Sequence, residues 1–168
     1  TIPSDNPFVG NTDGYREEIF TYGWRNPWRA AYDVTTNSIY VGEVGQDMYE
    51  EVSIVHVVDD KGKNYGWRKM EGTKVFDKTL DLAGPFVDPI YEYPHTNTLH
   101  KDGYKISGTS ITGGHLYKGT NSSLSGKYIF GDWGSFSSGG RDAQLWYLAK
   151  QPDGKWLRGN LLLNNMDI

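Results

Sequence analysis

The chain has 168 residues, 21 glycines, 7 prolines, no cysteine and a formal net charge of −4. Without cysteine there is no disulfide framework, thiolate zinc site, iron–sulfur cluster or cysteine nucleophile. No apolar run approaches the ~20 residues of a membrane span, no signal-peptide pattern opens the chain, and the mixed, mildly acidic charge speaks against nucleic acid or an anionic membrane as partner.

Thr1–Gly14 is a string of turn signals: Pro3, Asp5-Asn6-Pro7, Gly10-Asn11 and Asp13-Gly14. The octet Tyr22-Gly23-Trp24-Arg25-Asn26-Pro27-Trp28-Arg29 follows. Arg25 and Arg29 can pair with carboxylates or stack on aromatic rings, and Pro27 biases Asn26 to an extended backbone. Short runs rich in β-branched and aromatic residues then recur, predicting strands over 38–44, 51–58, 110–117, 127–132 and 144–148. The one helix candidate, Gln46–Glu51, is too short to nucleate alone. Asp59–Asn64 reads as a polar, hairpin-like connection, and Lys74–Pro89, Pro94–Ser107 and the Gly/Ser segment 134–140 read as loops. No closing element is evident over Asn164–Ile168.

Two stretches echo each other. Ile39-Tyr40-Val41-Gly42-Glu43 and Tyr128-Ile129-Phe130-Gly131-Asp132 both read apolar, apolar, apolar, Gly, acid. Their glycines lie 89 positions apart, about twice the ~40–50 residues of a propeller blade. Evenly spread glycine among aromatics, with many tight turns, favours an all-β chain, and the echo favours a propeller over a sandwich.

Candidates for chemistry are few. His56, His95, His100 and His115 are scattered, and no pair has the i, i+4 spacing of a helical zinc site. His56 and His115 fall in predicted strands, whereas His95 and His100 lie in a loop, where a histidine is free to act as acid or base. There is no Gly-x-Ser-x-Gly elbow, phosphate loop or dinucleotide fingerprint, and Asn121-Ser122-Ser123 is a common sequon pattern. Asp47, Glu50 and Glu51 cluster after Gly45-Gln46. They read either as a solvated loop face or as a hard-cation site, since calcium seeks several carboxylate and carbonyl oxygens together. The turn Asn64-Tyr65-Gly66-Trp67 can add carbonyls beside Glu51.

Five blocks in register resemble the glucose/sorbosone dehydrogenase family of pyrroloquinoline-quinone (PQQ) sugar dehydrogenases: Tyr22–Arg29, Val41–Val55, Lys63–Trp67, Ser110–Gly119 and Lys127–Trp133. The same blocks resemble the propeller of Hedgehog-interacting proteins, a binding module. The resemblance implies an all-β chain, about three blades forming the C-terminal half of a six-bladed β-propeller over residues 1–168. It implies that Asn26 faces the quinone, that the carbonyls of Gly45 and Gln46 hold the calcium that polarises PQQ, and that Glu51 and Tyr65 serve a second, structural calcium. It further implies an aldose substrate oxidised at the anomeric carbon, an extracytoplasmic home, and completion by the remaining blades or a second chain. The alternative is a calcium-stabilised, non-catalytic propeller that binds protein or glycan. Departures accompany the match. The family's histidine base belongs to an earlier blade, its PQQ-gripping lysine would fall near Gly134, its arginine clamp would lie at or beyond Ile168, and Trp28 follows Asn26-Pro27 where the soluble glucose enzymes carry a different residue.

Overall fold

The structure is a computed structural model that describes residues 1–95, 98–99, 105–106, 108–134 and 143–161. Every regular element among them is a strand: β1 (Pro27–Asp33), β2 (Ser38–Glu43), β3 (Tyr49–His56), β4 (Met70–Glu71), β5 (Lys74–Val75), β6 (Tyr91–Pro94), β7 (Thr98–Leu99), β8 (Lys105–Ile106), β9 (Ile111–Leu116), β10 (Tyr128–Asp132), β11 (Gln144–Lys150) and β12 (Trp156–Asn160). They form two four-stranded antiparallel sheets, β1-β2-β3-β6 and β12-β11-β10-β9, with one short hairpin, β4–β5, inserted between β3 and β6 and another, β7–β8, between β6 and β9. No helix in the described residues is long and apolar enough to cross a membrane.

The five predicted strand runs are found as β2, β3, β9, β10 and β11. Three full strands had no sequence counterpart. The octet around Asn26 runs straight into β1, and Pro27 is tolerated there because it opens an edge strand that needs no amide on its outer side. Tyr91–Pro94 and Trp156–Asn160 supply the fourth strand of each sheet. The candidate helix is instead a tight bend over 46–48 leading into β3. Asp59–Asn64 is not a hairpin: the chain turns there and lays 62–67 against Phe20–Gly23, with Tyr65 N donating to Tyr22 O at 2.8 Å and Trp67 N to Gly23 O at 2.9 Å.

The sheets pack face to face. Tyr40, Val52, Ile54, Tyr91 and Tyr93 of the first meet Ile111, Tyr128, Phe130, Trp146 and Leu148 of the second in one buried cluster. Rings set the spacing. Tyr40 stacks on Tyr128 at 5.2 Å, and Trp146 receives Tyr93 and Phe130 edge-on at 5.2 and 5.6 Å, geometries that suit the ring quadrupole. The opposite face of the first sheet divides in two. Val41 and Val55 are covered by Tyr65, Trp24 and Phe20, while Glu43, Glu51 and Glu92 follow at the other end, directly opposed across β2, β3 and β6.

The echo in the sequence is a structural repeat. Gly42-Glu43 ends β2 and Gly131-Asp132 ends β10, the second strand of each sheet. Each acid accepts hydrogen bonds from the two backbone amides just before its sheet's first strand: Glu43 from Arg25 and Asn26, Asp132 from Thr109 and Ser110. The two units are therefore neighbours. The 89-residue spacing is one sheet lengthened by the two hairpins, not two blade lengths, and the described residues contain two four-stranded sheets.

The inner strands come closest at a pair of glycines. A Cβ on Gly42 would lie 2.6 Å from Gly113 Cα and 2.9 Å from Gly113 N. Because the obstacle is backbone, it cannot rotate away. Gly42→Ala is expected to cost about 1–3 kcal/mol, read as a lower urea midpoint. Gly126→Ala, where nothing stands within 4 Å but φ is +72°, should cost only about 1 kcal/mol.

Candidate cofactor and cation site

The residues singled out in sequence gather at the end of the first sheet where β2 leaves and β3 enters. Asn26 is held through its backbone: its amide donates to Glu43 Oε1 at 3.1 Å, and its carbonyl accepts from Val44 N at 3.1 Å. Its side chain is left on the exposed side of that turn. Arg25 clamps the following loop, donating to Val44 O at 3.1 Å and, through Nε and Nη2, to Gln46 Oε1 at 2.9 and 2.5 Å. Its guanidinium lies over Trp67 at 5.6 Å. Arg25 thus bonds a carbonyl and an amide oxygen, and stacks, rather than gripping a carboxylate. Asn26, Gly45 and Gln46 are brought together.

The loop Gly45–Tyr49 is wound around a residue that sequence reasoning did not find. Glu71, on the β4–β5 hairpin and 2% exposed, accepts on Oε1 from the amides of Gln46, Asp47, Met48 and Tyr49 at 2.8, 3.0, 2.8 and 3.0 Å. Such convergent amides form an anion-binding nest. Its Oε2 is buried with no hydrogen-bond partner among the described residues. Gly45 is required here: a Cβ would sit 1.8 Å from Tyr49 O and 2.6 Å from Glu71 Oε1.

The hairpin turn is docked in return onto the acidic row. Gly72 N donates to Glu51 Oε1 at 2.5 Å, while Thr73 N and Oγ1 donate to Glu92 at 2.7 and 2.9 Å. Burial pushes the Glu51 carboxyl up to about 8. The Gly72 amide opposes that shift, and the charges of Glu43, Glu92 and Glu71 add to it. Burial likewise raises Glu43 to about 7 against the Arg25 and Asn26 amides. Uncompensated carboxylates at this depth take up protons or call for a cation. Among the described residues, no group of three or more acidic or histidine side chains is placed to hold a metal ion by itself, so a cation here would need backbone oxygens as well.

Tyr65 has different partners from Glu51. Its ring stacks on Trp24 at 3.9 Å and its hydroxyl donates to Ile54 O at 3.0 Å. Any cation contact from Tyr65 falls to its backbone carbonyl. Asp47 is exposed, whereas Glu50 is fully buried and belongs to the interface between sheets: it accepts from Gly45 N at 3.2 Å and Ile111 N at 2.9 Å, and pairs with His95. Burial pulls the His95 imidazole down, but the hydrogen bond and charge of Glu50, with the charges of Glu71 and Asp132, together outweigh it and the net direction is up. His56 bonds Ser38 Oγ at 2.9 Å and His115 is exposed on β9. His100, residues 135–140 and the chain end at 164–168 lie outside the described residues. Gly134, where the resemblance puts a lysine, donates its amide to Asp132 at 2.6 Å and accepts from Thr109 Oγ1 at 2.7 Å.

Residues 1–131 match the Glucose / Sorbosone dehydrogenase family. The chain belongs to that family. It is 36% identical over 138 residues to HIPL1 protein of Arabidopsis thaliana, an overlap of 79% of this chain and 19% of that one. It is 42% identical over 66 residues to the aldose sugar dehydrogenase YliI of Escherichia coli, 39% of this chain and 16% of the relative. Among solved structures, the apo-form soluble aldose sugar dehydrogenase of E. coli superposes with a TM-score of 0.68 at 23% identity, over 96% of this chain and 42% of that one. The PQQ-bound aldose sugar dehydrogenase of Streptomyces coelicolor gives 0.53 at 20%, over 95% and 35%. The chain is all-β and forms part of a propeller, and it spans about a fifth of the length of the curated relatives it matches.

The raised acids make stability fall with pH. Glu43 and Glu51 hold protons in the fold above their ordinary value of 4.5, so their contribution is complete below that value. It is lost as pH climbs from about 4.5 to about 8. In chelator, the melting temperature of the protein carrying this chain should drop by several degrees across that window, and saturating calcium should flatten the drop. Glu51→Ala should be near neutral in chelator, because it removes repulsion, yet lower the melting temperature when calcium is present. Thermal scans with and without chelator check both.

Proposed function

We propose that this chain is the part of a PQQ-dependent sugar dehydrogenase that holds the cofactor's calcium, in a protein that oxidises an aldose at its anomeric carbon. The observation that carries this reading is that Asn26 and the Gly45–Gln46 bend flank one clamped turn, tied by Val44 N to Asn26 O and by Arg25 to Gln46, beside the buried acids Glu43, Glu51 and Glu92. The residues fit the group. Asn26 is fixed through its backbone by Glu43 and Val44, so its exposed side chain leaves a set position on the turn from which to reach the quinone. Gly45 and Gln46 offer carbonyl oxygens, the donors that calcium prefers, and Arg25 fixes the loop through Gln46 and Val44. Glu51, flanked by Glu43 and Glu92, offers carboxylate oxygen to a second, structural calcium, with Tyr65 contributing its carbonyl. When bound, PQQ supplies the two-electron acceptor for sugar oxidation, and calcium polarises it. The catalytic base, a histidine in the family pattern, is not assigned to any residue of this chain. An extracytoplasmic location, an aldose as substrate, and the remaining blades or a second chain as partner complete the reading.

A second reading is a calcium-stabilised, non-catalytic propeller that binds protein or glycan. What favours it is Gly134, whose backbone is fully engaged and which brings no cation to the cofactor.

The two readings separate in one reconstitution. The protein carrying this chain is titrated with PQQ and calcium and assayed for dye reduction with glucose and other aldoses. The enzyme reading expects a shifted PQQ absorbance and sugar-dependent reduction, with Asn26→Ala lowering kcat/KM about 10²-fold, the scale of one lost orienting hydrogen bond. Calcium binding with no PQQ absorbance shift would leave the binding module as the function.

A further inference from the structure

We infer that Glu71 is a positioning residue for the cation: it sets the carbonyl oxygens of Gly45 and Gln46 in place before any ion arrives. This rests on the calcium reading above and adds to it a residue that belongs to neither ligand set. In a planar trans peptide the carbonyl points opposite to the next residue's N–H. The amides of Gln46 and Asp47 both aim at Glu71 Oε1, at 2.8 and 3.0 Å. The carbonyls of Gly45 and Gln46 must therefore point away from it, out of the loop. The next two peptides follow the same rule, and Met48 O is taken by the amide of His95 at 3.0 Å.

One buried carboxylate oxygen thus converts an irregular bend into a fixed loop whose successive carbonyls face outward from it. Hard-cation sites need such oxygens fixed, because ordering a floppy loop at the moment of binding subtracts from affinity. Two further observations tie Glu71 to this role. Gly45 can carry no side chain because the loop wound around the carboxylate brings Tyr49 O within 1.8 Å and Glu71 Oε1 within 2.6 Å of where its Cβ would lie. Glu71 Oε2 is buried with no hydrogen-bond partner among the described residues, so the carboxylate is placed for its Oε1 contacts with the loop and for no other bond found there.

The test uses the protein carrying this chain, stripped of metal and titrated with calcium by calorimetry and with terbium by luminescence. Glu71→Gln keeps the side-chain shape but loses the charge that gathers four amides. It should weaken calcium binding at the Gly45–Gln46 site at least tenfold. It should also lose more melting temperature in calcium than in chelator, a difference that a purely structural role would not produce. Equal affinity in Glu71→Gln and wild type, with equal melting losses in both conditions, overturns the inference while leaving the calcium reading intact. Wild-type protein that binds no calcium overturns the reading itself. Hydrogen exchange on the wild type needs no variant. The amides of Gln46–Tyr49 should be protected in chelator already, and protection that develops only with calcium also overturns the inference.

Discussion

The buried carboxylates of this chain are answered mainly by backbone amides, and the rest of the architecture depends on that. Glu43 holds the entry to β1, Asp132 the entry to β9, Glu71 the loop before β3, and Glu51 and Glu92 the turn of the β4–β5 hairpin. Glu50 reaches from β3 to the amide of Ile111 on the neighbouring sheet. Amides leaving a bend have no ladder partner and would be costly to bury alone. A carboxylate accepts several at once and is stabilised by each. Acids nearer solvent follow another rule: Asp33, Asp60 and Asp77 each add a lysine or arginine to their amide or hydroxyl donors.

That division explains where a function can sit. Amides solvate a carboxylate without supplying a compensating positive charge. Along Glu43, Glu51 and Glu92, the three acids oppose one another across adjacent strands, an arrangement that ordinarily destabilises a sheet. The fold tolerates the row because the hairpin turn caps it and because two of the three carboxyls are driven towards the protonated state. The stored repulsion is what a cation would relieve. The same end of the sheet carries Asn26, Arg25 and the Gly45–Gln46 bend, so the electrostatic and geometric requirements coincide.

The amount legible in sequence follows from which of these features are local. Five strands were readable because each carries its β-branched and aromatic residues contiguously. The repeat was readable because Gly42-Glu43 and Gly131-Asp132 keep the same order. Asn26, Gly45, Gln46, Glu51 and Tyr65 were reachable through motif resemblance, and the first three lie on two segments joined by Val44 N to Asn26 O and by Arg25 to Gln46. Glu71 was not readable: it stands 22 to 25 positions from the amides that it gathers, beside a common Glu-Gly turn. Nor was the burial of Glu92, although Tyr91-Glu92-Tyr93 alternates as a strand should, with its rings in the core and its acid on the opposite face. Pro27 hid β1 by looking like a loop marker, when an edge strand can begin on it.

The blade spacing shows the same limit from another side. Counting residues between the two Gly-acid pairs treats intervening sequence as blade. The structure uses it for a cap, since β4–β5 lies over the acidic row and supplies Glu71, Gly72 and Thr73. Inserted sequence therefore does not dilute the repeat; it equips one copy of it. The neighbouring copy has the same acid at the same place, yet Asp132 is surrounded by a tyrosine hydroxyl and three amides. It is fully bonded there and locks Tyr93 of the first sheet to the second. The equivalent position thus serves as a lock where its carboxylate is fully bonded. It becomes part of a charged row where the hairpin brings further acids beside it.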